Sequence, residues 1–153
     1  MALDSTNREA NVWDSLKKFF VDNFTSYAIT FDKALATPDI RGRTVDRWIS
    51  LVLGNCTFGV LSDISLQIYI CSRQDNEWFK NAQVRDSVME LLVDEDQTDG
   101  MKRIPFYASH PTNPWTLLGA LVVQEVHEGT RLEAEDETKF KVLTVRLRTA
   151  SKV

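Results

Sequence analysis

Apolar and polar residues alternate strictly from Asp63 to Cys71: Ile64, Leu66, Ile68 and Ile70 share one face, Ser65, Gln67, Tyr69 and Cys71 the other. A period of two in β-branched and aromatic residues predicts a strand covered on one side. Residues 72–76 break the pattern, and Asp75 or Asn76 is placed to cap the backbone donors of a helix. From Glu77 the period lengthens. Trp78, Ala82, Val88, Met89 and Leu92 fall within one arc, widened by Val84 and Leu91, which predicts an amphipathic helix with Trp78 on its core stripe. Arg85 lies inside that arc, its stem packed and its head reaching a carboxylate or water. Phe79 falls outside it. A strand with one apolar face followed by a helix with one apolar stripe makes a two-layer core.

The same reading extends in both directions. Val12, Trp13, Leu16, Phe19, Phe20 and Phe24 form a stripe that predicts a first helix from Asn11 to about Phe24, after ten polar residues expected to be mobile. Tyr27, Ile29 and Phe31 alternate with Ala28, Thr30 and Asp32 as a first strand, and Val45 to Leu53 forms a second. The stretch from Thr37 to Arg43 is a turn-rich connection, and Gly54 to Gly59 loops into the central strand. After the second helix come an acidic turn, Asp94 to Gly100, and a short strand, Met101 to Tyr107. A loop marked by Pro111 and Pro114 leads to a long strand, Leu117 to Val126. A hydrophilic connection, Glu128 to Glu137, precedes a closing strand, Thr138 to Arg148. The order is helix, three strands, helix, three strands: an α+β fold with a mixed, mainly antiparallel sheet and two packed helices.

With 153 residues and no linker, the chain is expected to form one domain. A net charge of −4 argues against a general nucleic-acid binder, which would show a basic face. The longest apolar run, Leu117 to Val123, is too short to span a bilayer, so no membrane role is expected. Cys56 and Cys71 make no disulfide framework, and a reducing cytosol is the default setting.

Each candidate chemistry fails on spacing. Counted from Asp94 as a calcium loop, the sixth position is Asp99 where glycine is needed, and the twelfth is Pro105 where glutamate is needed. His127-Glu128 opens like a zinc-protease helix, but Arg131 stands where the second histidine belongs. Ser109-His110 are neighbours in sequence, which is no triad geometry, and no nucleophile elbow, phosphate loop or dinucleotide fingerprint occurs. No catalytic residue, cofactor or metal ligand is therefore assigned.

The interface candidates are Arg41 and Arg43 in the connection, Trp48, Phe58 in the following loop, Trp115 in the proline loop, and Glu133, Glu135 and Glu137. Trp48 lies on the opposite strand face from Ile49 and Leu51, where an aromatic needs a second layer or a partner chain. The acids from Asp94 to Asp99 and from Glu133 to Glu137 are clustered, whereas Lys139, Lys141, Arg146, Arg148 and Lys152 follow without an acid between them. Segmental charge of this kind suits head-to-tail packing of copies.

Three stretches together resemble the tail-terminator proteins of long-tailed bacteriophages. They are the aromatic helix Val12-Trp13-Asp14-Ser15-Leu16-Lys17-Lys18-Phe19-Phe20 leading into Tyr27 to Asp32, the strand Asp46 to Leu51, and Leu66 to Arg73 with the helix ending Val88-Met89-Glu90-Leu91-Leu92. The resemblance implies a mixed α/β protomer in a homo-oligomeric ring, a hexamer. Such a ring caps the finished tail tube and meets the head-completion or neck protein, with DNA passing through its lumen without sequence-specific binding. It implies a virion location in the tail or neck, assembly in the host cytoplasm, and no enzyme activity. Alternatives are another neck or tail-tube subunit or, from a different class, a small-molecule or carbohydrate-binding α+β module using Trp48 and Trp115.

Overall fold

The computed structural model describes residues 9–25, 27–31, 39–40, 43–44, 46–57, 63–93, 103–108, 116–134 and 138–151. The first helix, α1, spans Glu9–Asn23 and is followed by β1 (Ala28–Phe31), β2 (Asp39–Ile40), β3 (Arg43–Thr44), β4 (Arg47–Thr57) and β5 (Asp63–Ser72). The second helix, α2 (Phe79–Leu92), leads to β6 (Arg103–Ala108), β7 (Thr116–Glu128), β8 (Leu132–Glu133) and β9 (Lys139–Ser151). The fold is α+β, with a seven-stranded sheet in the order β1-β4-β5-β9-β7-β6 and β8 attached to β9. β1 runs parallel to β4, Ala28 beside Trp48 and Thr30 beside Ser50; every other pairing is antiparallel.

The central strand has the expected register. Ile64, Leu66, Ile68 and Ile70 are all fully buried, and they join one core with Ile49 and Leu51 of β4, Leu143, Val145 and Leu147 of β9, and Leu121 and Val123 of β7. Val12, Leu16, Phe19 and Phe20 of α1 and Val84, Val88 and Leu92 of α2 belong to that same core. Both helices therefore cover one face of the sheet, and the alternate face carries Trp48, Ser50, Gln67, Tyr69 and Phe140.

The sheet curls, because α1 reaches both of its edges. Trp13 stands edge-on to Phe31 of β1 at 6.0 Å, while Ser15 bonds the backbone of Tyr107 in β6. Irregular registers bend the strands: between Leu53 and Cys56 in β4, between Phe106 and Tyr107 in the β6–β7 pair, and between Val123 and Glu125 in β7. An extra residue on one strand of a pair increases local twist and bends the ladder.

Several expectations need correction. The connection from Thr37 to Arg43 contains the two-stranded β2–β3 pair, and the hydrophilic stretch after Glu128 contains β8. α1 begins at Glu9, so Asn11 lies within it, buried, rather than capping it. α2 begins at Phe79, two residues later than the pattern predicts. Its buried face is Asn81, Val84, Val88 and Leu92, whereas Ala82 is exposed. Asn81 occupies a core position because its amide donates to Ile70 O at 3.0 Å, to Lys139 O at 3.4 Å and to the Ser72 hydroxyl at 3.5 Å. Hydropathy alone ranks such a residue as surface. The first eight residues and the acidic turn, Asp94 to Gly100, lie outside the described residues.

Candidate interaction site at the start of the second helix

The entry into α2 is held by one carboxylate. Asp75 accepts hydrogen bonds from the backbone N–H of Lys80 at 3.1 Å and of Asn81 at 2.8 Å, and from the Ser72 hydroxyl at 3.0 Å. It thus caps the helix from four residues before its first turn and ties it to the end of β5. Burial works against the charged form of Asp75, but the backbone donors of Asn81 and Lys80, the Ser72 hydroxyl and the Lys139 ammonium outweigh it and hold the carboxyl below its ordinary range.

With Asp75 capping from a distance, Trp78 takes the position just before the helix in a left-handed conformation, φ 62° and ψ 12°. Such a φ costs free energy in a bulky residue. It turns the indole away from the core stripe, a correction to the expectation that Trp78 packs inside. The ring is half-buried and stands under two cations, with the Arg131 guanidinium at 5.4 Å and the Lys139 ammonium at 5.5 Å from its centroid. Lys139 also donates to the backbone oxygen of Asp75.

A pocket of about 210 Å³ opens here, lined by Trp78, Asn81, Ala82, Arg85, Asp86, Arg131 and Lys141. Lys139 and Lys141 are two residues apart on β9, so both project to the helix side of the sheet beside Ser72 and Ile70. Arg85 is engaged, by Glu128 at 2.5 Å and Asp86 at 3.0 Å, and Lys141 lies 3.7 Å from the other oxygen of Glu128. Lys80 is engaged by Asp46 at 2.9 Å. Among the described residues, Arg131 and Lys139 have no carboxylate within ion-pair distance. Of the two cations above the indole, Lys139 also serves the Asp75 carboxylate, which leaves the Arg131 guanidinium as the one more open to an oxyanion from a partner.

Two other pockets are less open chemically. The larger one, about 380 Å³ between α1 and β6, has most of its polar lining paired internally: Lys18 with Asp22 at 2.8 Å, Asn23 with Phe19 O at 2.8 Å, and Ser15 with Tyr107. In the third, Arg146 bridges Glu125 at 2.8 Å and Asp63 at 3.0 Å. Among the described residues, no three of His, Cys, Asp and Glu gather as metal ligands. His127 is exposed beside Glu125 at 3.2 Å.

The interface residues named from sequence fare unevenly. Trp48 is fully buried, with no atom available to a partner, so a docking role for it is corrected to packing. It sits beside Cys71 on the face away from the helices, and among the described residues neither its indole N–H nor the hydroxyls of Ser50 and Thr30 find a hydrogen-bond partner. Glu133 is exposed on β8, opposite Lys139. Only the backbone of Arg43 is described, in β3. Arg41, Phe58, Trp115, Glu135 and Glu137 lie outside the described residues. The described structure thus places Trp48 and Glu133 in different surroundings rather than in one patch. Of the cations gathered here, Lys139 and Lys141 were named from sequence only as part of the basic closing segment, and Arg131 was not singled out. Their signal was present: one arginine inside an acidic stretch, then lysines at alternate positions of a strand.

No family model and no curated protein matches the sequence. A solved structure matches over 96% of this chain and 99% of its own, with a TM-score of 0.63 at 7% sequence identity. At that identity the likeness concerns the fold alone.

Proposed function

We propose that this chain is a non-enzymatic virion protein, a tail terminator: a ring of identical subunits that caps the completed tail tube of a long-tailed phage and offers the neck its attachment surface. The resemblance of its helix and strand segments to that family supplies the candidate. One structural observation supports it, the two-sidedness of the domain. Both helices lie on one face with the cationic Trp78 pocket at the start of α2, while the opposite face carries Tyr69 stacked on Phe140 at 6.2 Å, with half-buried Val52, Gln67 and Val142 beside them. A subunit that stops a polymer must match the growing end on one side and present something unlike it on the other. Two chemically different surfaces on a rigid sheet meet that need without catalysis. The tail-tube protein and a head-completion or neck protein are the partners in this reading, and DNA crosses the lumen without base-specific contacts. The burial of Trp48 weakens the alternative of a carbohydrate module, which needed its ring as a stacking platform.

The test is genetic and visual. In a phage that carries the gene, its removal should yield filled heads together with tails that are overlong or fail to join, seen by electron microscopy. Tails of normal length that still attach to heads would refute the reading.

A further inference from the structure

The pocket between α1 and the edge strand β6, about 380 Å³, is within the size range that small ligands fill. Phe19, 7% exposed, and Pro105 supply its apolar lining. Its charges do not cancel. The Lys18 ammonium is neutralised by Asp22 at 2.8 Å. Arg103, exposed at the start of β6, has no carboxylate within ion-pair distance among the described residues. One guanidinium is thus left over, a planar fork of donors that matches a carboxylate. The backbone of β6 narrows the choice of occupant. An edge strand ordinarily accepts a further strand through its open N–H and C=O groups. Here Pro105 has no N–H, and both the N–H and the carbonyl of Tyr107 are held by the Ser15 hydroxyl. Strand addition by a peptide is therefore blocked along this wall, and binding falls to side chains.

We propose that this pocket binds a small organic acid, a single carboxylate on a flat apolar body of roughly one or two rings. The carboxylate pairs with Arg103, and the body lies against Phe19 and Pro105. Asp22 selects for one charge rather than several, because a second carboxylate or a phosphate chain meets its like charge. For the same reason a nucleic acid is a poor occupant. The ligand joins α1 to β6 beside the Ser15–Tyr107 bonds, so its binding also stabilises the fold by mass action. No contact between copies enters the site, which stands or falls independently of the terminator reading.

The experiment is a titration of the full chain with sodium phenylacetate, read by saturation-transfer NMR, which works whatever the size of the assembly. Phenylacetamide, of the same shape but uncharged, is the comparison. Phenylacetate should bind saturably and raise the melting temperature, and phenylacetamide should bind at least about tenfold more weakly. R103Q should weaken phenylacetate by about tenfold. D22N releases Lys18 from its partner and should tighten binding several-fold, a gain that no loss of structure can produce. Circular dichroism melts of both variants keep loss of binding distinct from loss of folding. Equal affinity for the acid and the amide, or an unchanged affinity in R103Q, overturns the proposal. So does the lack of any saturable signal up to about 20 mM. A D22N variant that folds and binds no tighter removes the charge selection and overturns it equally.

Discussion

The Ser15 hydroxyl in α1 holds both backbone groups of Tyr107 in the edge strand β6, accepting from its N–H at 2.9 Å and donating to its carbonyl at 3.4 Å. Ser15 is 1% exposed, whereas Tyr107 is half-buried and lines the pocket between α1 and β6. An edge strand exposes unpaired donors and acceptors to other chains, and here a helix side chain occupies them. S15A should lower stability by about 0.5–1.5 kcal/mol, the net contribution of a hydrogen bond whose partner groups water can partly reach, and should raise the tendency to aggregate. Urea unfolding with light scattering measures both. An unchanged midpoint would show that the contact contributes nothing.

Asp75 gives the protein a defined acid sensitivity. Its carboxyl is held below the ordinary range in the folded state, and an unfolded aspartate titrates near ~3.9. A depressed carboxyl contributes stability that is fully present above the unfolded value and lost as pH falls through the folded one. Acidification below about pH 4 should therefore loosen the β5–α2 junction. D75N replaces an acceptor of the Asn81 N–H and Ser72 hydroxyl bonds by an amide, and should cost about 1–3 kcal/mol at neutral pH. Its stability should also change less with pH between about 5 and 2 than that of the wild type. Parallel slopes for the two proteins would place the acid sensitivity elsewhere.

The outcome at α2 explains how far the sequence could be read. β5 lies where alternation put it, Asp63–Ser72, because four residues of one kind on one face leave a single register that buries them. The helix was legible as a helix, but its face was misjudged, since Asn81 outranked Ala82 for the core through bonds to Ile70 and Lys139 that no local pattern encodes. Trp78 was misplaced for a related reason. Its position follows from Asp75 capping at a distance, a tertiary choice that turned an expected core residue into the floor of a pocket. Trp48 erred in the opposite direction: alternation correctly put it on the face away from Ile49, and its complete burial there depends on the assembled fold. The two-residue strands β2, β3 and β8 are too short for any periodicity to register.

Gly54 marks a position where a side chain does not fit. A Cβ there would stand 2.9 Å from both the carbonyl oxygen and the hydroxyl oxygen of Ser65, on the neighbouring strand β5. The site coincides with the irregular register of β4 between Leu53 and Cys56, where two strands approach closely. The carbonyl cannot rotate away without breaking the ladder, so G54A should destabilise by about 1–3 kcal/mol, the usual cost of overpacking. A thermal melt would check this, with S65A/G54A as the companion variant. Removing the hydroxyl should recover only part of the loss, because the backbone oxygen remains. Full recovery would assign the clash to the Ser65 side chain instead.

The two cysteines should be slow to react in the folded protein, for separable reasons. Cys71 is fully buried, so reagent cannot reach it. Cys56 is only half-buried, but burial, helped by the nearby Glu9 carboxylate, pushes its thiol up to about 11. The thiolate is the nucleophile, and an unperturbed thiol titrates near ~8.5. At pH 8 the folded state then holds on the order of two hundred times less Cys56 thiolate than the unfolded chain. Iodoacetamide labelling followed by mass spectrometry should show little modification of either residue at pH 8 and rapid modification of both in denaturant. Raising the pH towards 10 in the folded state should accelerate Cys56 selectively, while Cys71 stays protected. Equal acceleration of both would mean that local opening, and not the titration of Cys56, controls the reaction.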